Sequence, residues 1–254
     1  MKLNILRNGS PTGLPKLLIV HGLFGSARNW GAIAKRLSDS REVLSVDLRN
    51  HGESPWSATH TYADLACDLA DLIRAEGGDF DVLGHSMGGK AAMVLALSAP
   101  DLVKRLLVAD IAPVGYTHSQ TPLIDAMLSL DLRAIATRGQ ADSALASRVD
   151  DPSVRAFLLQ SLDLRADPPR WRLNLHVLAQ EMAQITGWPK PAGSYTGPTL
   201  FLSGARSDYM LPEHRPVIKA LFPNARFSKI PKAGHWLHAE APRAFEETLR
   251  VWFD

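Results

Sequence analysis

A chain of 254 residues holds one large domain, or one domain with an inserted segment. Its 46% hydrophobic and 21% charged residues are those of a soluble globular protein, and a net charge of +2 with no concentrated Lys/Arg stripe excludes nucleic acid as the expected partner. The lone cysteine, Cys67, excludes an internal disulfide, residues 1–8 are too short and polar for a signal peptide, and no run approaches the ~18 apolar residues of a membrane span, so a cytoplasmic protein with no membrane partner is expected.

Residues 2–7 alternate loosely, as an edge strand does, and Gly9 to Pro15 reads as a turn. Lys16–Val20 is a continuous apolar run of buried-strand length that leads into His21-Gly22-Leu23-Phe24-Gly25-Ser26. Ser26 caps a helix expected to reach Leu37, with Trp30, Ile33, Ala34 and Leu37 on one face. Val43–Val46 is a third strand, ending at Asp47, which is read as tying down the Arg49-Asn50-His51-Gly52 loop. Thr61 and Asp64 form a capping box for a helix to Ala75, stopped by Gly77-Gly78, in which Cys67 is expected to pack as a small hydrophobe. Phe80–Leu83 and Arg105–Ala109 are further solid apolar strands, separated by an Ala-rich helix that stops at Pro100. Strands of this kind alternating with helices predict a parallel sheet covered on both faces.

The pattern changes after Pro113. Between 114 and 195 no strand is expected; Val154, Phe157, Leu158 and Leu162 keep helical spacing, as do Leu175, Leu178, Met182 and Ile185. The expected organisation is a core of 1–113 and 196–254, with 114–195 a helical cap over the strand ends, where open α/β sheets bind ligands. The α/β pattern resumes with Thr199–Leu202, a helix from Pro212, a last strand Ala225–Ile230 and an amphipathic helix from Pro242 to Phe253.

Gly84-His85-Ser86-Met87-Gly88 joins the strand from Phe80 to the Ala-rich helix in the pattern G-x-S-x-G. Between a strand and a helix this is a nucleophile elbow: the serine takes a strained turn, and the glycines relieve the crowding around it. A serine needs a base, and His235 follows far downstream in the loop after the last strand, in the chain order nucleophile, acid, base. His21 and His51 are read as loop organisers, His85 as shaping the elbow, His238 as serving its loop, and His60, His118, His176 and His214 as surface or packing residues. The oxyanion of a tetrahedral intermediate needs two N–H donors. Met87 supplies one, and the loop after Val20 the other, from Leu23 first and Phe24 next. Phe24 and Trp236 are expected to line the substrate site.

Two aspartates stand at strand ends as candidates for the acid. Asp110 ends the strand after the nucleophile helix, and Asp208 follows the penultimate strand. The common spacing at the second place is G-x-x-D, which from Gly204 would put Ser207 in the acid's position and Asp208 one step late. Asp110 is the better placed, with Asp208 the alternative.

The segments His21–Ser26, Asp47–Pro55, Gly84–Lys90, Asp110–Pro113 and Gly234–Glu240 together resemble the α/β-hydrolase superfamily, in particular the small bacterial esterases of the YbfF type, related to the mitochondrial ABHD-type hydrolases. The resemblance spans nearly the whole chain, with the cap its least distinctive part. It implies an ester or thioester hydrolase using Ser86 and His235, and it favours Asp110 as the acid. The expected substrate is a short- to medium-chain acyl ester or thioester, and the chemistry asks for no metal or organic cofactor. Two other readings remain: a carbon–carbon bond hydrolase or cofactor-free lyase, whose acidic substrates Arg49 and Arg206 would meet, and a non-catalytic ligand-binding member of the fold.

Overall fold

The computed structural model describes residues 1–78 and 80–253. In chain order the first half comprises β1 (Ile5–Asn8), β2 (Leu17–Val20), α1 (Gly31–Leu37), β3 (Val43–Val46), α2 (Tyr62–Ala75), β4 (Phe80–His85), α3 (Met87–Ser98) and β5 (Val103–Ala109). Short helices follow: α4 (Thr121–Leu128), α5 (Arg138–Leu145) and α6 (Pro152–Leu158), then a small ladder of β6 (Leu162–Asp163) and β7 (Arg170–Trp171), then α7 (Leu175–Gln180) and α8 (Met182–Thr186). The chain closes with β8 (Thr199–Gly204), α9 (Arg215–Leu221), β9 (Ala225–Ile230), α10 (Leu237–Glu240) and α11 (Pro242–Phe253).

Among the described residues the main sheet has seven strands in the order β1-β3-β2-β4-β5-β8-β9. β1 is an antiparallel edge strand, pairing Ile5 with Val46, and the other neighbours run parallel. The solid apolar runs have a structural cause: alternate residues of one strand feed different layers. Leu18 and Val20 join the core on one face of the sheet, and Leu17 and Ile19 join the core on the other. From β2 the chain steps one way to β3 and then crosses back to β4, so the carboxyl ends of β2 and β4 lie side by side, Val20 against Gly84. That reversal is where open α/β sheets form their binding crevice.

The capping box at α2 is formed as expected: the Asp64 N–H donates to Thr61 Oγ1 at 3.2 Å, the Thr61 N–H donates to Asp64 Oδ2 at 3.3 Å, and Gly77 turns out of the helix at φ +93°. Four local expectations are corrected. The segment after Ser26 opens as a 3-10 turn, Ala27–Trp30, before α1 begins. Residues 114–195 are not strand-free, since Leu162 pairs with Trp171. The helical spacing from Leu175 to Ile185 is split at Glu181 into α7 and α8. Cys67 is exposed rather than packed; two residues beyond Leu65, it lies about 200° round the helix and faces away from the core. Among the described residues no helix is long and apolar enough to cross a membrane.

Candidate active site

The elbow is built by close approach. A Cβ on Gly84 would lie 2.4 Å from the Gly88 carbonyl oxygen, and one on Gly88 would lie 2.4 Å from that of His21, so neither position admits a side chain. Ser86 between them is held at φ +52°, ψ −123°, a strained backbone for a non-glycine residue. Its N–H donates to the Ala109 carbonyl at 3.0 Å, which fastens the turn to the end of β5.

The loop after β9 brings His235 over this serine. His235 Nε2 lies 3.0 Å from Ser86 Oγ, and Nδ1 lies 2.8 Å from Asp110 Oδ2. Asp110 is fully buried at φ +54°, with its N–H donating to the Leu202 carbonyl at 2.8 Å. Its Oδ1 accepts from the Gly204 N–H at 3.0 Å, and its Oδ2 also accepts the Ser207 hydroxyl. Asp208 is exposed, and its carboxylate is not brought to His235; the G-x-x-D position is filled by Ser207, which reaches the same site from β8. Ser86, His235 and Asp110 are therefore brought together, and the alternative acid is left outside.

Three supports of His235 were not read from the sequence. The Tyr209 ring stacks on the imidazole with centroids 4.0 Å apart at 20°. His85 Nε2–H donates to the His235 carbonyl at 2.9 Å, and burial together with the neighbouring His235 and His238 holds the His85 pKa well below the ordinary histidine range. Glu240 accepts from the N–H groups of Gly234 at 2.8 Å and Trp236 at 3.3 Å, gripping the loop on both sides of His235. Partial burial works to raise the Glu240 pKa, but these two N–H groups and Arg206 outweigh it and lower it. The signal for Glu240 was its place in Gly234–Glu240; Tyr209 had none.

At the end of β2 the loop histidines do what their positions suggest. His21 Nδ1–H donates to the Gly22 carbonyl at 2.8 Å, and Nε2 accepts the Leu48 N–H at 3.0 Å. His51 Nδ1–H donates to the Arg49 carbonyl at 3.0 Å, and Nε2 accepts the Phe24 N–H at 3.3 Å. Burial lowers the pKa of both, keeping each neutral with one nitrogen free to accept. The Phe24 N–H is thus committed to His51. Across from it, Met87 opens α3, where the first N–H groups have no partner within the helix. Asp47 secures the neighbouring loop, accepting from the Ala27 and Glu53 N–H groups at 2.7 and 2.9 Å.

A cavity of about 280 Å³ opens over Ser86. Phe24, Met87 and Trp236 line it from the sheet side, and Leu123, Phe157 and Ile185 from the inserted helical segment. Phe24 is buried at φ +63°, while Trp236 is half-buried and meets Phe157 at 5.7 Å. His118 is exposed and borders the cavity, and His60 is buried with Nε2 3.4 Å from Met87 Sδ, the surface and packing placements read for them from the sequence. Arg49 and Arg206 lie elsewhere: Arg49 is paired with Asp68 at 2.6 Å and Asp64 at 3.2 Å, and exposed Arg206 with Glu240 at 3.0 Å. Among the described residues no three His, Cys, Asp or Glu side chains converge as metal ligands.

This geometry coincides with a family match. Residues 17–248 fit the model of the alpha/beta hydrolase family. The chain belongs to the α/β hydrolases. This α/β hydrolase is 42% identical over 253 residues to the sn-1-specific diacylglycerol lipase ABHD11 of Mus musculus, covering 96% of this chain and 82% of that protein. It is 37% identical over 264 aligned residues to the esterase YbfF of Escherichia coli strain K12, covering all of both chains. Among solved structures, a marine microorganism esterase, 35% identical, superposes with a TM-score of 0.94 over 99% of each chain. The hydrolase is therefore YbfF-like in sequence and esterase-like in fold.

Proposed function

We propose that this chain is a serine carboxylic-ester hydrolase that works through an acyl-enzyme. The observation that carries the proposal is the unbroken hydrogen-bonded line from Asp110 through His235 to Ser86, lying beneath an apolar cavity. The Ser86 hydroxyl attacks the ester carbonyl while His235 Nε2 takes its proton. Negative charge develops on the carbonyl oxygen, where the N–H groups of Leu23 and Met87 receive it. Asp110 keeps Nδ1 protonated and pointed, and stabilises the imidazolium as it forms. His235 then protonates the departing alcohol, and a water molecule, activated by the same imidazole, releases the acid and regenerates Ser86.

Support for the substrate class comes from the cavity and the relatives. The lining is largely apolar, as an acyl chain requires, and the relatives' names are esterase and lipase. Short- to medium-chain esters fit a cavity of about 280 Å³; thioesters present the same carbonyl to the same groups. The carbon–carbon bond reading relied on Arg49 and Arg206, and both are paired away from the cavity. Residues 114–195 act as a cap in this scheme, since Leu123, Phe157 and Ile185 shape the acyl site, while 1–113 and 196–254 carry the chemistry. A cytoplasmic location is our reading of the sequence, whose single cysteine allows no internal disulfide. Replacing Ser86 with Ala should reduce p-nitrophenyl ester turnover by on the order of 10⁵-fold or more; turnover at the wild-type rate in a clean preparation would reject it.

A further inference from the structure

One buried group has no part in that chemistry. Lys90 sits one turn along α3 from Ser86, and its own N–H donates to the Ser86 carbonyl at 3.1 Å. Its side chain borders the cavity and is almost fully buried, which removes a cation from water at considerable cost. Among the described residues no carboxylate forms an ion pair with it. Its Nζ donates to the carbonyl oxygens of Thr186 at 3.0 Å and Gly187 at 2.6 Å, with the Tyr116 and Tyr62 ring centroids at 4.7 and 5.7 Å. The cation is caged by two carbonyl dipoles and two aromatic rings.

Those carbonyls belong to one short stretch at the end of α8. The Ile185 carbonyl beside them accepts the Tyr62 hydroxyl from α2 at 2.6 Å, and the Thr186 carbonyl also accepts the Tyr116 N–H at 3.0 Å. Three successive carbonyls, which the helix itself leaves without partners, are thus held from the core. Ile185 and Thr186 also line the cavity. An apolar residue at position 90 would avoid the desolvation cost but would leave the Gly187 carbonyl without its donor.

We propose that Lys90 is a specificity-determining positioning residue: it pins the Thr186–Gly187 backbone to the helix that carries the nucleophile, and so fixes the cavity wall that sets the longest acyl chain accepted. The proposal rests on the ester-hydrolase function argued above. Burial brings the Lys90 pKa down to about 7, so the grip is charge-assisted below neutrality and weakens above it. The titratable groups facing Lys90 are the phenols of Tyr62 on α2 and Tyr116 after β5; burial pushes both upward, so neither changes charge in that range. The α8 end contributes only carbonyls to it.

The test is a series of p-nitrophenyl esters of increasing acyl length, assayed with wild type, Lys90→Met and Tyr62→Phe. The quantity read is the kcat/KM of the ester about two carbons beyond the wild-type optimum, divided by that of the optimum. For Lys90→Met this ratio should rise about tenfold, mainly through a lower KM for the longer ester, since a methylene in an apolar pocket discriminates by about tenfold or more. Tyr62→Phe removes one hydrogen bond and no volume, and should move the ratio the same way by less. Wild type should show the same drift between about pH 6 and about pH 9 as the lysine loses its proton. A general structural loss would lower kcat for all esters alike and leave the ratio in place. An unchanged ratio in folded Lys90→Met overturns the proposal. If that variant does not fold, an unchanged ratio in Tyr62→Phe and across the wild-type pH series overturns it. Failure of wild type to cleave any ester would instead contradict the ester-hydrolase function, and the proposal would fall with it.

Discussion

Ser207 donates its hydroxyl to Asp110 Oδ2, the same oxygen that faces His235 Nδ1. Two strands thus converge on one carboxylate: β5 leads into Asp110, the acid of the proposed mechanism, and the loop after β8 supplies a hydroxyl to hold it. Asp110→Asn should lower kcat by about 10³- to 10⁴-fold, because the amide cannot hold the imidazole in the tautomer the reaction needs. Asp208→Asn should stay within about twofold of wild type, because its side chain is exposed and the change leaves Ser207 and Tyr209 on either side intact. Steady-state kinetics on one p-nitrophenyl ester compares the two, and a large loss confined to the Asp208 variant would reverse the assignment.

The same convergence allows the acid to be relocated. In an Asp110→Asn background, Ser207→Asp places a carboxylate where the hydroxyl now meets the Asp110 side chain. The double variant should recover at least about tenfold in kcat over Asp110→Asn alone, because a carboxylate again faces the imidazolium. In the wild-type background the same Ser207→Asp change should be harmful, since the new carboxylate would lie against buried Asp110 and the two repel. No recovery in the double variant would show that Ser207 lies outside reach of His235.

Glu240 holds the base loop by accepting from Gly234 and Trp236 on either side of His235. Glu240→Gln replaces a charged acceptor with an amide that can accept at only one of its two ends. Small displacements of a reacting group are costly, so kcat should fall by about 10- to 100-fold with KM little changed. Equal losses in kcat and in thermal stability without any KM-against-kcat split would point to a merely structural role.

Stability should fall in acid for a reason built into the histidines. Burial lowers the His60 pKa to about 3 and that of His238 to about 4, and also depresses those of His21, His51 and His85. Each is neutral when folded but protonates near pH 6.5 when unfolded, so the unfolded state binds more protons on the acid side. The stability involved is fully present above about pH 6.5 and is lost as pH falls toward 4 and 3, each histidine contributing a slope of at most about 1.4 kcal/mol per pH unit. Urea unfolding between pH 7 and pH 4 reads this slope directly, and His60→Gln should flatten it. A flat profile in wild type would contradict burial of these rings.

Most of the sheet was legible because its strands are short, mainly apolar runs: Leu17–Val20 and Val43–Val46 are each buried along their whole length. The elbow was legible because close backbone contacts forbid side chains at Gly84 and Gly88, and the sequence records that directly. Contacts between distant segments left less trace. The spacing from Gly204 puts Ser207 in an acid's position but does not say that its hydroxyl will meet Asp110, and nothing near Tyr209 says that its ring will stack on His235. Periodicity misled at Leu162, which keeps helical spacing with Leu158 yet lies in β6, and at Cys67, whose apolar neighbours face the other way. Lys90 reads as an ordinary residue in an Ala-rich helix until the end of α8 is seen above it.

The central claim is that Ser86 is the nucleophile and becomes acylated. The most direct measurement is peptide mapping by mass spectrometry after reaction with a fluorophosphonate probe, which bonds covalently to an activated serine. The account predicts a single modified peptide containing Gly84–Gly88, with the label on Ser86, and no labelling of the Ser86→Ala protein. A label on another residue, or none while ester hydrolysis persists, would contradict it.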